Sequence, residues 1–331
     1  MPRTRAGVWS ELHIGPAPEV TVSLSAQVMV LAVLADAIAG RRRGLPERWR
    51  RAVQDGMPVS GWEAVRPIGV PSHSVTPDVV VPLSPIGDIS VEFHVERLRD
   101  MAPDILREDL YRSFGGERIP QHWHDAINHP RRWLDGYAAA VDHVWSTMEP
   151  LWRRARAAFD REVERVGTAV VRGGLDVLLN TLSDRIVYSE GTLRISDIQP
   201  SAYDLGERDL VLVPTIAGRD AIITNLDNPS VVWVAYPLPG IESFWSRLEE
   251  GRRSDELAAM LGEVRANLLA ALDRPLTMSR LAEQAGTVPS AITYHCERLA
   301  AAGLVVRERR GREVWVSRTR RGDDLLELFA N

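Results

Sequence analysis

Residues 287–305, TVPSAITYHCERLAAAGLV, followed by RERRGR at residues 307–312, decide the fold of the C-terminal part of this chain. Pro289 is a residue type that favours the first turn of a helix, and Gly303 is one that ends a helix in a left-handed C-cap. The pattern therefore predicts a helix over residues 288–302.

The apolar side of this predicted helix consists of Ile292, Cys296 and Leu299, with His295 at its margin. Cys296 takes a position where an aliphatic side chain would pack, so we interpret it as a core residue rather than a redox switch. It is the only cysteine in the chain, which excludes an internal disulfide and a thiolate metal cage.

A second, shorter helix is predicted just before this one, over residues 278–284, with Thr277 as its N-cap. Gly286 allows a tight turn between the two helices, which is the spacing of a helix-turn-helix. A longer helix is predicted upstream, over residues 255–272, with Leu257, Leu261, Val264, Leu268, Leu269 and Leu272 as its buried stripe.

The residues that follow the 288–302 helix alternate in polarity. Segments 304–309 and 313–317 are predicted to be strands of a hairpin around the basic turn at residues 310–312, and residues 320–328 a closing helix. Together these elements predict a winged helix-turn-helix domain over residues 254–331.

Such a domain binds DNA by placing its second short helix in the major groove, while the wing contacts the backbone or the minor groove. Other interpretations stay open. Tyr294 and His295 could cover the core of the domain, and Arg310 and Arg312 could form a solvated turn. A winged helix can also bind protein instead of DNA. The predicted DNA-binding residues are Thr277, Arg280, Ser290, Ala291, Thr293, Tyr294, His295, Arg298, Arg309, Arg310 and Arg312.

The charge of the chain is distributed unevenly. The formal net charge is −5, yet residues 276–321 contain nine Arg against four Glu. This stretch therefore carries about +5 and the remainder about −10. A basic module on an acidic body is typical of a regulator with a separate sensing part, although solvated charges can also fluctuate by chance. All the basic residues other than histidine are arginines.

The length of 331 residues favours two domains, and 45% hydrophobic with 26% charged residues is an ordinary globular composition. The most apolar stretch, residues 28–39, contains Asp36 and is too short to span a bilayer, and the chain lacks the basic start of a signal peptide. We therefore expect a cytoplasmic protein.

Residues 1–250 are predicted to form an α+β domain. A strand is expected at residues 19–24, and helices at 25–39, 46–53, 90–99 and 104–113, with residues 56–88 mostly loop. Glu149 and Pro150 are predicted to open a long amphipathic helix, and another follows Gly173 and Gly174. Five short strands then form a small antiparallel sheet, at residues 186–188, 192–195, 210–213, 221–224 and 231–236. A polar break at residues 251–254, with Ser254 as the next N-cap, marks the predicted domain boundary.

Candidate sites in this larger domain are few. His122, His124, His129 and His143 are the only cluster with the character of metal ligands, and capping or surface roles explain them better, so no metal and no cofactor is predicted. No catalytic motif is present, so we predict that the chain is not an enzyme. The ten Trp residues allow an aromatic effector pocket, but core packing is the preferred explanation for each of Trp145, Trp152, Trp233 and Trp245.

The run 287–305 with residues 307–312 resembles the ArsR-type winged-helix repressors, over roughly the last 75 residues. More weakly, residues 151–179, 189–193, 210–214 and 231–237 are similar to a domain of unknown function that precedes such modules in actinobacterial regulators. The resemblance implies a dimeric repressor. This chain departs from metal-sensing members, because it lacks their Cys-x-Cys motif and their clustered Cys and His in the module.

The sequence therefore predicts a homodimeric transcriptional regulator that reads an inverted repeat of double-stranded DNA through the 288–302 helix and the 309–312 wing. A small molecule or a protein would act at the N-terminal domain, and helix 255–272 would transmit the change and dimerise. Two alternatives remain: an enzyme of unrecognised type with an accessory winged helix, and a winged helix that mediates protein interaction.

Overall fold

A computed structural model of the chain describes residues 9–15, 18–70, 77–81, 90–114, 119–196, 200–285 and 288–329. The fold is mixed α/β, and its strands form three small sheets. The chain divides into two compact units, residues 1–241 and residues 242–331. Within the described ranges, no helix is both long enough and apolar enough to cross a membrane.

The first unit is rich in helices, and local signals explain several of their starts. The Ser25 hydroxyl accepts a hydrogen bond from the Val28 N–H at 3.3 Å and caps the first helix, as predicted. The helices are α1 (Ala26–Ala37), α2 (Glu47–Asp55), α3 (Val59–Val65), α4 (Val91–Asp100), α5 (Pro103–Ser113), α6 (His124–Asn128), α7 (Pro130–Arg154), α8 (Arg156–Val171) and α9 (Leu175–Leu179), with 3₁₀ turns at Arg66–Gly69 and Gln121–Trp123.

Two helical predictions in this unit are wrong. Part of the predicted loop 56–88 is helix α3, and residues 66–69 form a 3₁₀ turn. Residues 71–76 and 82–88 of this loop lie outside the described residues. Pro150 does not open a helix but lies inside α7. Met148 and Leu151, on either side of it, are buried, so their burial offsets the hydrogen bond that proline removes.

In the described ranges of the first unit, eight strands form two sheets rather than one. They are β1 (Trp9–His13), β2 (Val20–Val22), β3 (Ile186–Ser189), β4 (Thr192–Ser196), β5 (Ala202–Asp204), β6 (Asp209–Thr215), β7 (Ile223–Asn225) and β8 (Val231–Pro237). One sheet has the order β3-β4-β1-β5 and the other β2-β6-β8-β7.

Neither sheet is purely antiparallel, so that prediction is also wrong. In the second sheet β2, β6 and β8 run parallel, and only β7 is antiparallel to its neighbour. Strands β6 and β8 are almost completely buried, which is the signature of a parallel sheet covered on both faces. In the first sheet β1 is antiparallel to β4 and parallel to β5.

A buried polar cluster fixes helix α8 on strand β8. The Tyr236 hydroxyl donates to Glu162 Oε1 at 2.6 Å, and Arg165 donates to both Glu162 oxygens at 2.7 Å. Burial, and then the Glu162 charge, raise the pKa of Tyr236, so it remains a neutral donor. Each charge in this cluster is therefore satisfied by a partner.

The second unit contains five helices and a three-stranded sheet in the order β10-β11-β9. Its elements are α10 (Ile241–Leu261), α11 (Glu263–Ala271), β9 (Leu276–Thr277), α12 (Met278–Gln284), α13 (Pro289–Ala301), β10 (Val305–Arg310), β11 (Glu313–Arg318) and α14 (Arg320–Leu328). The predicted helices 278–284 and 320–328 are confirmed to the residue.

The predicted long helix 255–272 is instead the end of α10 followed by α11. Gly262 separates them with φ +83°, a conformation that side chains of other residues rarely adopt. Residues 251–254 are not a polar break but lie within α10, so Ser254 is not an N-cap. Val264, predicted to be buried, is 43% exposed because this break turns it out of the stripe.

Candidate nucleic-acid interface

One apolar core holds α11, α12, α13 and the three-stranded sheet together. Leu268, Leu281 and Val316 are among its members. From α13 it takes Ile292, Cys296 and Leu299, which are all buried as predicted. Burial raises the pKa of the Cys296 thiol, so the thiol stays protonated and behaves as a core group. The opposite side of α13 is thereby left for solvent.

Thr277 ties the start of α12 to the sheet. It pairs with Trp315 in the β9–β11 ladder, and its hydroxyl accepts from the Arg280 N–H at 3.3 Å. Because Thr277 is buried and its hydroxyl caps α12, the prediction that it contacts DNA does not fit its position. The neighbouring Arg280 side chain is exposed.

The solvent face of α13 carries four of the predicted contact residues. Ser290, Ala291, Tyr294 and Arg298 are exposed and follow one another at one-, three- and four-residue spacing, so the last three share one face of the helix with Ser290 beside them. Tyr294 is 58% exposed. Thr293 and His295 are half-buried at the edges of this face.

The N-terminus of α13 is a feature that sequence analysis missed. Val288 is the N-cap and provides no side-chain acceptor, and Pro289 fills the first helical position. Among the described residues, the first N–H groups of α13 receive no side-chain cap, although the Ala291 N–H donates to the Val288 carbonyl at 3.0 Å. The positive end of the helix dipole favours an anion there. The signal was present in the sequence: position 288 lacks the usual Ser, Thr, Asp or Asn.

The hairpin β10–β11 presents the basic turn. Arg310 pairs with Glu313, and Gly311 adopts φ +63° in the two-residue turn between them. Arg309, Arg310 and Arg312 are all exposed. This hairpin therefore holds three guanidinium groups at its tip.

These three arginines are not equivalent. Arg310 donates to Glu308 Oε2 from Nε at 3.1 Å and from Nη2 at 2.7 Å, and its guanidinium lies 5.5 Å from the Trp315 ring. The hydrogen bond with Glu308 raises the pKa of Arg310. Arg309 contacts the Gly311 carbonyl at 3.4 Å. In the described part of the chain, Arg312 has no hydrogen-bonded or ion-paired partner.

Ion pairs neutralise part of the remaining positive charge. Arg307 pairs with Glu297 at 3.0 Å, and Arg318 with Asp323 at 2.7 Å. Residues 242–331 contain fourteen Arg and fourteen Asp or Glu, so this unit is neutral as a whole. Arg280, Arg298 on α13 and the arginines at the tip of the hairpin are exposed cations on this unit.

The histidines of the first unit do not come together. His124 Nε2 lies 3.1 Å from the Ile119 carbonyl, His143 Nε2 lies 2.9 Å from the Val53 carbonyl, and His129 contacts Asp125 at 3.2 Å. Among the described residues, no group of three His, Cys, Asp or Glu is placed to hold a metal.

The four tryptophans have structural contacts of their own. Trp233 and Trp245 are buried. Trp145 donates to Glu92 Oε1 at 2.6 Å, and Trp152 packs on Phe159 at 4.5 Å between ring centroids. The core interpretation is therefore confirmed for Trp233 and Trp245, whereas Trp145 and Trp152 are half-buried.

Comparison with protein-family models, with curated proteins and with solved structures finds no match. The functional argument therefore depends on the residues and their geometry.

Proposed function

We propose that the chain is a DNA-binding transcriptional regulator in which residues 263–328 act as a winged helix-turn-helix. The observation that carries this proposal is the exposed face of α13 beside an open helix N-terminus. A helix of this length is roughly 20 Å long and fits the major groove, which is about 12 Å wide. Ser290, Tyr294 and Arg298 supply hydrogen-bonding groups for bases and phosphates.

The hairpin would act as the wing. Its tip arginines follow α13 closely in sequence and in the fold, since α13 and β10 share the core that contains Leu299 and Val305. Arginine at the tip of a hairpin suits phosphate or minor-groove contact. The resemblance to ArsR-type repressors implies a repressor, and the position of the arginines does not bear on the direction of regulation.

We further propose that the regulator is a homodimer that reads an inverted repeat and that the first unit receives an effector. Two copies of α13 would then occupy half-sites about one helical turn apart. A change in the spacing of the two helices would alter the DNA affinity, and such coupling is typically about 1–3 kcal/mol.

Selection of duplexes from a random library by the full-length protein tests this proposal. We expect enrichment of an inverted repeat whose half-sites are separated by about one turn. Ser290→Glu should abolish enrichment, because it places a carboxylate in the first turn of α13, where it stabilises the helix but repels phosphate.

The matched control is Ser290→Gln, which adds a side chain of nearly the same size without the charge and should largely preserve selection. No enriched motif with the wild-type protein, or equal losses for both variants, would contradict the proposal.

A further inference from the structure

The first unit contains a cavity of about 440 Å³ beside β7, the edge strand of the mainly parallel sheet. Residues 221–229, which include β7, form one wall. Cavities of this size commonly hold small organic molecules. The lining outside this wall includes an apolar floor, which we define as Leu31, Ala32, Ala35 and Ile68.

One end of the cavity is basic and structurally fixed. The Asp36 carboxylate is fully buried and accepts hydrogen bonds from the Arg43 N–H, from the Leu45 N–H at 3.3 Å and from Arg50 Nε at 2.9 Å. A buried carboxylate thus holds the loop after α1 in one conformation. The Arg43 carbonyl accepts from the Asp220 N–H at 2.9 Å, which places this loop at the start of the 221–229 wall.

The three consecutive arginines of this loop do not have the same role. Arg41 and Arg43 line the cavity, whereas Arg42 pairs with Glu47 at 3.4 Å. Two cationic side chains therefore border the apolar floor at this end.

The other end of the wall is acidic. Asp78 and Asp227 both line the cavity. Burial and, next, the Asp227 charge raise the pKa of Asp78. Asp109, which is buried, accepts from the Val79 N–H at 2.9 Å, while its Oδ1 has no hydrogen-bond partner among the described residues. Arg112, 3.8 Å from Asp109, is the cation near these three carboxyl groups.

We propose that this cavity binds an elongated organic zwitterion, with its carboxylate at Arg41 and Arg43 and its ammonium group at Asp78 and Asp227. The hydrocarbon between the two charges would lie on the apolar floor, where its burial contributes favourably. An ammonium group would also relieve the repulsion between the two carboxylates. The role of this ligand as the effector depends on the proposed function, but its binding does not.

Three compounds of equal chain length test the proposal by calorimetry on the full-length protein in the absence of DNA: ω-aminooctanoate, octanoate and octylammonium. We expect ω-aminooctanoate to bind about tenfold more tightly than either singly charged compound, because each lacks one charge-assisted interaction. Equal affinities for the three compounds, or no binding of ω-aminooctanoate, would overturn the proposal.

Two variants test which side chains bind the carboxylate and which bind the ammonium group. Arg43→Ala should remove the preference over octylammonium and keep the preference over octanoate, and Asp227→Asn should do the reverse. Arg42→Ala is the matched control in the same loop and should change neither preference. The proposal is overturned if Arg42→Ala has the effect expected of Arg43→Ala, or if each pole variant leaves its preference intact.

Because no DNA is present in this experiment, failure of DNA binding would leave the calorimetric result unaffected. Once ω-aminooctanoate is bound, its effect on the DNA affinity of the same protein reports separately on whether the cavity regulates the DNA-binding unit.

Discussion

Arginines close together in the hairpin differ in what they can offer to DNA. Arg310 is held by Glu308 and lies over Trp315, so contact with a phosphate requires it to give up an existing partner. Arg312, at the turn, is exposed and has no such partner in the described part of the chain. Sequence alone treats the two residues as equal, whereas the structure makes Arg312 the stronger candidate for a DNA contact.

We expect Arg312→Ala to weaken DNA binding for all sequences and to reduce the slope of log K against log salt by about one, since one phosphate contact is lost. Arg310→Ala should change the slope less. Fluorescence anisotropy at several salt concentrations measures both. Arg307→Ala, which removes an arginine already paired with Glu297, is the control. The assignment fails if the Arg310→Ala slope changes more than that of Arg312→Ala.

The buried side chain of His94 in the first unit contributes a pH dependence to the stability. His94 on α4 is 4% exposed, and burial, followed by the charge of Arg97, lowers its pKa from 6.5 to about 4. The folded protein keeps His94 neutral, while the unfolded chain takes up a proton below pH 6.5. Its contribution is therefore present above pH 6.5 and lost as the pH falls towards 4, by about 3 kcal/mol.

Chemical denaturation of the wild type and of His94→Met between pH 7 and about pH 4 checks this expectation. The free energy of unfolding of the wild type should fall more steeply with acidification than that of the variant. The comparison is needed because Asp78 and Asp109, whose pKa values are raised, act in the opposite direction. Parallel curves for the two proteins would contradict the role given to His94.

At the scale of elements, two glycines, one inside α10 and one at its C-terminal end, have different structural roles. Gly251 lies within α10 with open space around its Cα, and Gly262 ends that helix at φ +83°. A glycine inside a helix is a local weakness, whereas a glycine at positive φ is required by the backbone.

The two positions therefore give opposite predictions for substitution by alanine. Gly251→Ala should stabilise the protein by about 0.5–1 kcal/mol, and Gly262→Ala should destabilise it by about 1–3 kcal/mol because the backbone conformation is strained. Urea denaturation of both variants measures the difference. Destabilisation by Gly251→Ala would mean that residues 251–254 are not helical, as the sequence alone had suggested.

Sequence patterns predicted the elements that local signals define and missed those that depend on distant partners. Thr277 and the 3.6-residue periodicity were enough to place α12, and Arg320–Leu328 matched α14. Strand β1 could not be predicted, because its pairing of Trp9 with Ser196 joins residues far apart in the chain. The exposed face of α13 could be predicted from its apolar face. The ion pair between Arg310 and Glu308 in the hairpin could not be predicted from the sequence.

At the scale of the whole molecule, the stretch with excess positive charge is shorter than the second compact unit. Residues 242–331 are neutral overall, whereas residues 276–321 within them carry about +5. The two compact units are joined at the beginning of α10. Each unit has its own apolar core, and the proposed DNA-binding and ligand-binding sites lie in different units.

A fragment of residues 254–331 should fold cooperatively, because the buried members of its core begin at Leu268. We expect a single thermal transition by circular dichroism, with a stability of a few kcal/mol, as is usual for domains of this size. The fragment 242–331 is the control for the loss of the first part of α10. Absence of a transition in both fragments would show that the second unit depends on the first for folding.

The most direct test of the DNA-binding proposal is the salt dependence of binding by the full-length protein to its selected duplex and to an unrelated duplex, followed by fluorescence anisotropy. If Arg280, Arg298, Arg309 and Arg312 of both protomers contact phosphates, the slope of log K against log salt should be about −7. The selected duplex should bind at least about a thousandfold more tightly than the unrelated one. Equal affinity for the two duplexes, or a slope near zero, would contradict the proposal that this chain is a DNA-binding regulator.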